Sequence, residues 1–294
     1  LGSVTGSYYA GELHFAGGDA GDSLDASSVT TTGLVATGGE GVDIIKGGAG
    51  DDTLAGGTQN DKLYGNDGDD SLNTSDGGTT SVERGKSGKF KVIALASGSD
   101  EAWGGTGTDT IVADGADIVA PGDGSDGITL GTGTVLSYGD SSAAITVNLT
   151  TAAGVVRSSA GDDYYSGGTP GAFVGSELAD TMIGGSAADE FYGESGADKM
   201  LGLGGADVLG GGGGTDTIKG GSGSDELYGD TGADLINGGT DNDVIWMGGG
   251  DDIAYGSTGD DTLRGQKGSD QAWGGKGTFD VCAAEVTDSC EFKK

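Results

Sequence analysis

The sequence predicts an all-β fold, a parallel β-roll or β-solenoid, and three observations predict it. Of 294 residues, 67 are glycine and 2 are proline, roughly a threefold glycine excess over an ordinary domain. Aspartate returns every nine residues through most of the second half of the chain. Two residues after each of these aspartates stands an apolar side chain flanked by variable ones, the alternation of a short strand with one face turned inward.

Composition sets the terms for any fold. Hydrophobic residues make up 34% and the formal net charge is -33, too little apolar surface for a bulky core and, taken alone, the signature of a chain that stays unfolded. Such acidity argues against nucleic acid, whose phosphates need Lys and Arg, and against anionic lipid. Metal cations are the partners left. No apolar run is long enough for a transmembrane helix.

Taken in order, residues 1–73 hold an N-terminal strand segment and a first repeat block. "GGDAGDSLD" around Asp22 is a candidate unit, and "GGEGVDIIK GGAGDDTLA GGTQNDKLY GNDGDDSLN" follows, with Asp43, Asp52, Asp61 and Asp70 in one slot. Residues 74–94, carrying Arg84, Lys86, Lys89 and Lys91, interrupt the pattern and are expected to form a loop or hairpin. Residues 95–174 combine degenerate repeats, with Asp100, Asp109, Asp117 and Asp126 in the aspartate slot, with connecting strands such as "ITVNL" at 145–149.

Residues 175–281 form the long repeat. Nine-residue units run without insertion from Gly175, and the sixth position is Asp180, Asp189, Asp198, Asp207, Asp216, Asp225, Asp234, Asp243, Asp252, Asp261 and Asp270. Chance alignment at these positions is on the order of one in several hundred million, so the period is a structural unit. In the last unit Phe279 takes the sixth position and Asp280 is shifted by one, which reads as the end of the ladder. Residues 282–294 are expected to cap it. Cys282 and Cys290 there fit a disulfide, a partial metal site or two free thiols; the disulfide is the expectation, and it implies an oxidising compartment.

Each unit divides into six residues of turn and three of strand. Glycine at the first, second and fourth positions permits positive φ and close backbone approach, while the apolar eighth position points inward. So short a strand cannot stand alone. Two units make one coil of eighteen residues, and stacked coils build two sheets over a thin core. Sixth-position carboxylates then pile up at about 4.8 Å, and a pair about 4 Å apart repels by roughly 4 kcal/mol at an effective dielectric of 20. A bridging cation removes that cost. Ca²⁺, with six to eight oxygen ligands and loose geometry, suits the gap better than Mg²⁺.

"GGSGSDEL" at 220–227 and "GGAGDDTL" at 47–54 match every specified position of GGxGxDxUx, so the chain resembles the repeats-in-toxin (RTX) family. That resemblance implies a parallel β-roll with multiple Ca²⁺ ions held between consecutive turns. Carried over position by position, it makes the sixth-position aspartates named above the metal ligands. Departures fall at Leu178, Ala187 and Asp241 in the fourth position and at Glu194, Leu203 and Asp230 in the second, where strained turns are expected.

Function follows as an expectation: an extracellular calcium-binding structural protein whose folding is driven by Ca²⁺, such as a surface-layer, filament or adhesive matrix component. The other class is a monomeric calcium-binding module accompanying a secreted enzyme or toxin. Catalysis is not expected. One histidine, His14, excludes HExxH; GxSxG is absent; and "RGKSGK" has Thr80 where a phosphate-binding loop needs glycine. Tyr192, Gly210, Tyr228 and Trp246 recur eighteen apart as one outer row, with Tyr255 and Trp273 as a second. Packing across neighbouring strands accounts for them; self-association, end to end or through this Tyr/Trp face, is the alternative.

Overall fold

A computed structural model describes residues 5–9, 12–30, 32–48, 50, 52–58, 62–64, 70–73, 81–83, 90–94, 101–103, 106–107, 110–113, 118–150, 154–277, 279–283, 286–288 and 292–293. Among the described residues all regular structure is strand, and nearly every pairing is parallel. The chain divides into two compact units, residues 1–142 with 160–171, and residues 143–159 with 172–294.

The second unit shows the repeat most plainly. One sheet carries Met182, Met200, Ile218, Ile236, Ala254 and Ala272 in register, and the other carries Phe191, Leu209, Leu227, Ile245, Leu263 and Cys282. All are at most 1% exposed, so the eighth position is the core, at about 1.5–3 kcal/mol for each large side chain buried. The strands are unequal. In one sheet they run six residues, as in Lys199–Gly204 and Thr217–Ser222, because positions two and three of the next unit stay paired. In the other sheet they are the expected triplets, such as Glu226–Tyr228. Ile145–Asn148, read as a strand from its alternation, pairs antiparallel with Gly154–Ser158 and parallel with Thr181–Ile183.

In the first unit, an antiparallel pair, Thr5–Tyr9 with Glu12–Ala16, leads into the same parallel stacking through Leu34–Glu40. Its coils are less uniform: equivalent positions lie 18 residues apart at Leu34 and Asp52, 21 at Asp22 and Asp43, and 37 at Asp126 and Asp163. The interruption at 74–94 is not simply a loop or hairpin. Ser81–Glu83 pairs in parallel with Lys62–Tyr64, and Phe90–Ala94 with Asp70–Asn73. Stacking needs a matching triplet, not the glycine turn, and "SVE" and "FKVIA" supply one.

The end of the repeat also differs from expectation. Val281–Ala283 and Val286–Asp288 continue the two sheets, and Cys282 is disulfide-bonded. Cys290, the other cysteine of the chain, lies outside the described residues.

Candidate metal centre

The turns bury the sixth-position carboxylates of the second unit, Asp189 excepted, which is half-buried. Asp180, Asp198, Asp207, Asp216, Asp225, Asp234, Asp243, Asp252, Asp261 and Asp270 are at most 2% exposed. One oxygen of each side chain belongs to the fold. Along one edge the Asp180 N–H donates to Asp198 Oδ1 at 2.7 Å, Asp198 to Asp216 at 2.8 Å, Asp216 to Asp234 at 2.8 Å and Asp234 to Asp252 at 2.9 Å. Along the other, Asp189, Asp207, Asp225 and Asp243 donate to the aspartate one coil on at 2.9 Å. The column therefore aligns itself through its own backbone.

The second oxygen has no such use. Oδ2 of Asp198, Asp207, Asp216, Asp225, Asp234, Asp243, Asp252 and Asp261 is buried and accepts no hydrogen bond. For Asp198, Asp207, Asp216, Asp225, Asp234 and Asp261 what it faces is another acceptor. A methyl added at Gly220 would collide with Asp225 Oδ2 and stand 2.8 Å from the Gly238 carbonyl of the next coil; at Gly193 and Gly256 the same collision pairs Asp198 and Asp261 with the carbonyls of Gly211 and Gly274. First-position glycine is thus required for space. Positive φ belongs instead to the second and fourth positions, as at Gly221 and Gly223 (123° and 115°). Glu194, Leu203, Asp230 and Asp241 adopt it too, as their departures from glycine led one to expect; Leu178 and Ala187 do not, while Ser257 and Gln266 do.

Burial raises these carboxyls, and repulsion along the column adds to it. Asp198, Asp234 and Asp243 are pushed up to about 7, and Asp207, Asp252 and Asp261 to about 6; burial is the largest cause, donated N–H groups oppose it, and neighbouring aspartates reinforce it. Near neutral pH each such oxygen therefore needs a proton or a cation. An unpartnered buried acceptor costs about 1–3 kcal/mol, more when charged. A metal would be held by one carboxylate oxygen per turn together with backbone carbonyls, since no three Asp, Glu, His or Cys side chains converge among the described residues. That donor set is all oxygen and rich in carbonyls, which fits Ca²⁺.

Not every predicted ligand is left in need. Asp52, Asp180 and Asp189 have N–H donors on Oδ2, from Gly48, Ser176 and Gly185 at 2.7, 2.6 and 2.7 Å. Asp43 accepts from the Asp22 N–H at 2.6 Å, and Asp126 is buried. Asp270 accepts from the Asp252 N–H at 3.2 Å. Asp70 lies on the strand Asp70–Asn73; Asp61, Asp100, Asp109 and Asp117 lie outside the described residues.

Three further carboxylates share the arrangement. Asp280 is fully buried and accepts the Asp261 N–H at 3.0 Å, across 19 residues. The ladder therefore runs past Asp270: the one-residue slip is absorbed by an outward Phe279, 60% exposed. Asp163 accepts the Asp126 N–H at 2.9 Å, but 37 residues separate the two, beyond the reach of a nine-residue search. Asp22, weakly signalled by its glycines, accepts from the Gly18 N–H.

No individual curated protein matches the sequence. The family model of the RTX calcium-binding nonapeptide repeat, four copies to the model, matches residues 37–72, 96–128, 174–209, 210–245 and 247–278. These segments take in more than half of the chain and the eight aspartates named above for their orphaned Oδ2, so the protein belongs to the RTX calcium-binding nonapeptide-repeat family.

Proposed function

We infer that this is a secreted structural protein that folds as it takes up Ca²⁺, a surface-layer, filament or adhesive matrix component without catalytic turnover. The observation that carries the calcium reading is the column of buried Oδ2 atoms facing carbonyls with no donor between them. Ligands assembled only in the folded chain make metal affinity a part of folding stability. Extracellular calcium modules need affinities of only about 10⁻⁴ to 10⁻³ M, so the chain stays loose in a calcium-poor cytoplasm and stiffens outside. The disulfide at Cys282 supports an oxidising destination.

Support for a role in assembly comes from the outer face of the second unit. Tyr228 stacks on Trp246 at 4.5 Å and 5°, and Tyr255 on Trp273 at 4.9 Å and 13°, so a ladder of aromatic edges is presented rather than buried. Circular dichroism of a metal-free sample titrated with Ca²⁺ tests the folding claim. Strand signal is expected to rise cooperatively in the sub-millimolar to millimolar range, and less with equal Mg²⁺. Full strand content and an unchanged melting point in chelator would overturn it.

A further inference from the structure

The first position of the repeat is glycine in every unit from Gly175 to Gly274 except one, where it is Met247. Elsewhere the missing side chain lets that unit's Oδ2 and the next coil's carbonyl approach each other: at Gly175 a methyl would stand 2.6 Å from the Gly193 carbonyl, and at Gly211 2.9 Å from that of Gly229. Position one lies two residues beyond the inward strand centre, so its side chain also points inward. Met247 follows Ile245 in this way, and its side chain is fully buried. By the repeat geometry it enters the space between Asp252 Oδ2 and the Gly265 carbonyl.

The hydrogen bond that spans the same two coils is altered. The Asp252 N–H reaches Asp270 Oδ1 at 3.2 Å, whereas the corresponding bonds earlier in the row are 2.7 to 2.9 Å. An independent case occurs in the first unit. Tyr138, two residues beyond the buried strand centre Leu136, is 2% exposed and lies beside the Asp163 and Asp126 carboxylates. There a bulky side chain lies against carboxylates of other turns, and its own turn has Ala143 in place of aspartate five residues later.

We propose that the first residue of each nonapeptide decides whether its rung can hold a cation, and that Met247 closes the rung between Asp252 and Asp270. A thioether is a soft donor that a hard calcium ion does not use, so the side chain displaces the ion without replacing its charge. The calcium column on this edge is then interrupted after the Asp234 turn, while the Asp207 to Asp261 column runs on unbroken. This rests on the calcium reading above.

A crystal of the full chain grown in saturating Ca²⁺, with cations located by anomalous scattering, tests it without any substitution. Ions at the turns of Asp216 and Asp234 and none between Asp252 and Asp270 are expected. An ion in that rung overturns the proposal, whereas no ion anywhere overturns the calcium reading beneath it. In solution, Met247→Gly should raise the calcium count per chain by one, and Gly229→Met, which sets a side chain against Asp234 Oδ2 and the Met247 carbonyl, should lower it by one. Folded variants with the wild-type count would overturn the proposal.

Discussion

Asp198, Asp234 and Asp243, pushed up to about 7, make the chain's response to pH depend on whether metal is present. Without metal the folded state holds more protons than the unfolded chain between about pH 4, the ordinary carboxyl value, and pH 7. Stability therefore falls as pH rises through that window, and acidification stands in for the cation. With Ca²⁺ bound the carboxylates must be ionised, protons compete with metal, and stability should fall as pH drops through the same window. Melting curves at pH 5 and pH 8, with chelator and with Ca²⁺, should show opposite slopes; equal slopes would contradict the assignment. At the backbone, Gly214 has φ 144° and an added methyl would collide with the Gly196 carbonyl. Gly214→Ala should cost about 3 kcal/mol or more, but Glu194→Gly, at φ 70°, should stay within about 1 kcal/mol of wild type. Urea unfolding in saturating Ca²⁺ measures both.

Single strands here have no stability of their own. Thr217–Ser222 and Leu235–Thr240 each offer one large inward side chain, Ile218 and Ile236, both fully buried, and depend on the strands above and below. Energetics in such an array are dominated by nearest neighbours. Ile236→Ala should cost about 2–5 kcal/mol, and hydrogen exchange should quicken first in Thr217–Ser222 and Ile253–Thr258, the strands that pair with it. Uniform acceleration across the unit would argue for a cooperative block instead. On the outer face, Arg264 extends the aromatic row, its guanidinium 6.0 Å from the Trp246 ring, a distance at which a cation still feels the ring face.

For the whole molecule the governing quantity is charge. At -33 a folded chain repels itself and other copies; salt screens this, but only a coordinating cation also satisfies the buried oxygens. Sedimentation with and without Ca²⁺ separates the two roles weighed for the protein. Calcium-dependent polymers, reduced by Tyr228→Ser with Trp246→Ser, support a surface or filament component. A single small species in all conditions assigns the chain to monomeric modules that accompany a secreted enzyme or toxin.

What the sequence by itself determined was whatever depends on period. Nine-residue spacing dictated parallel stacking, the inward eighth position and the alignment of aspartates such as Asp207 under Asp225, because equal coil lengths leave one register that buries every apolar side chain. The tertiary structure alone decided which carboxylate oxygens lack a donor, since Asp180 and Asp198 occupy the same slot yet only Asp180 meets a nearby N–H on its second oxygen. It also decided the rungs that break period. Asp163 and Asp280 reach their columns across an insertion and a slip, because stacking fixes where a strand must return in space and leaves the length of chain between returns free.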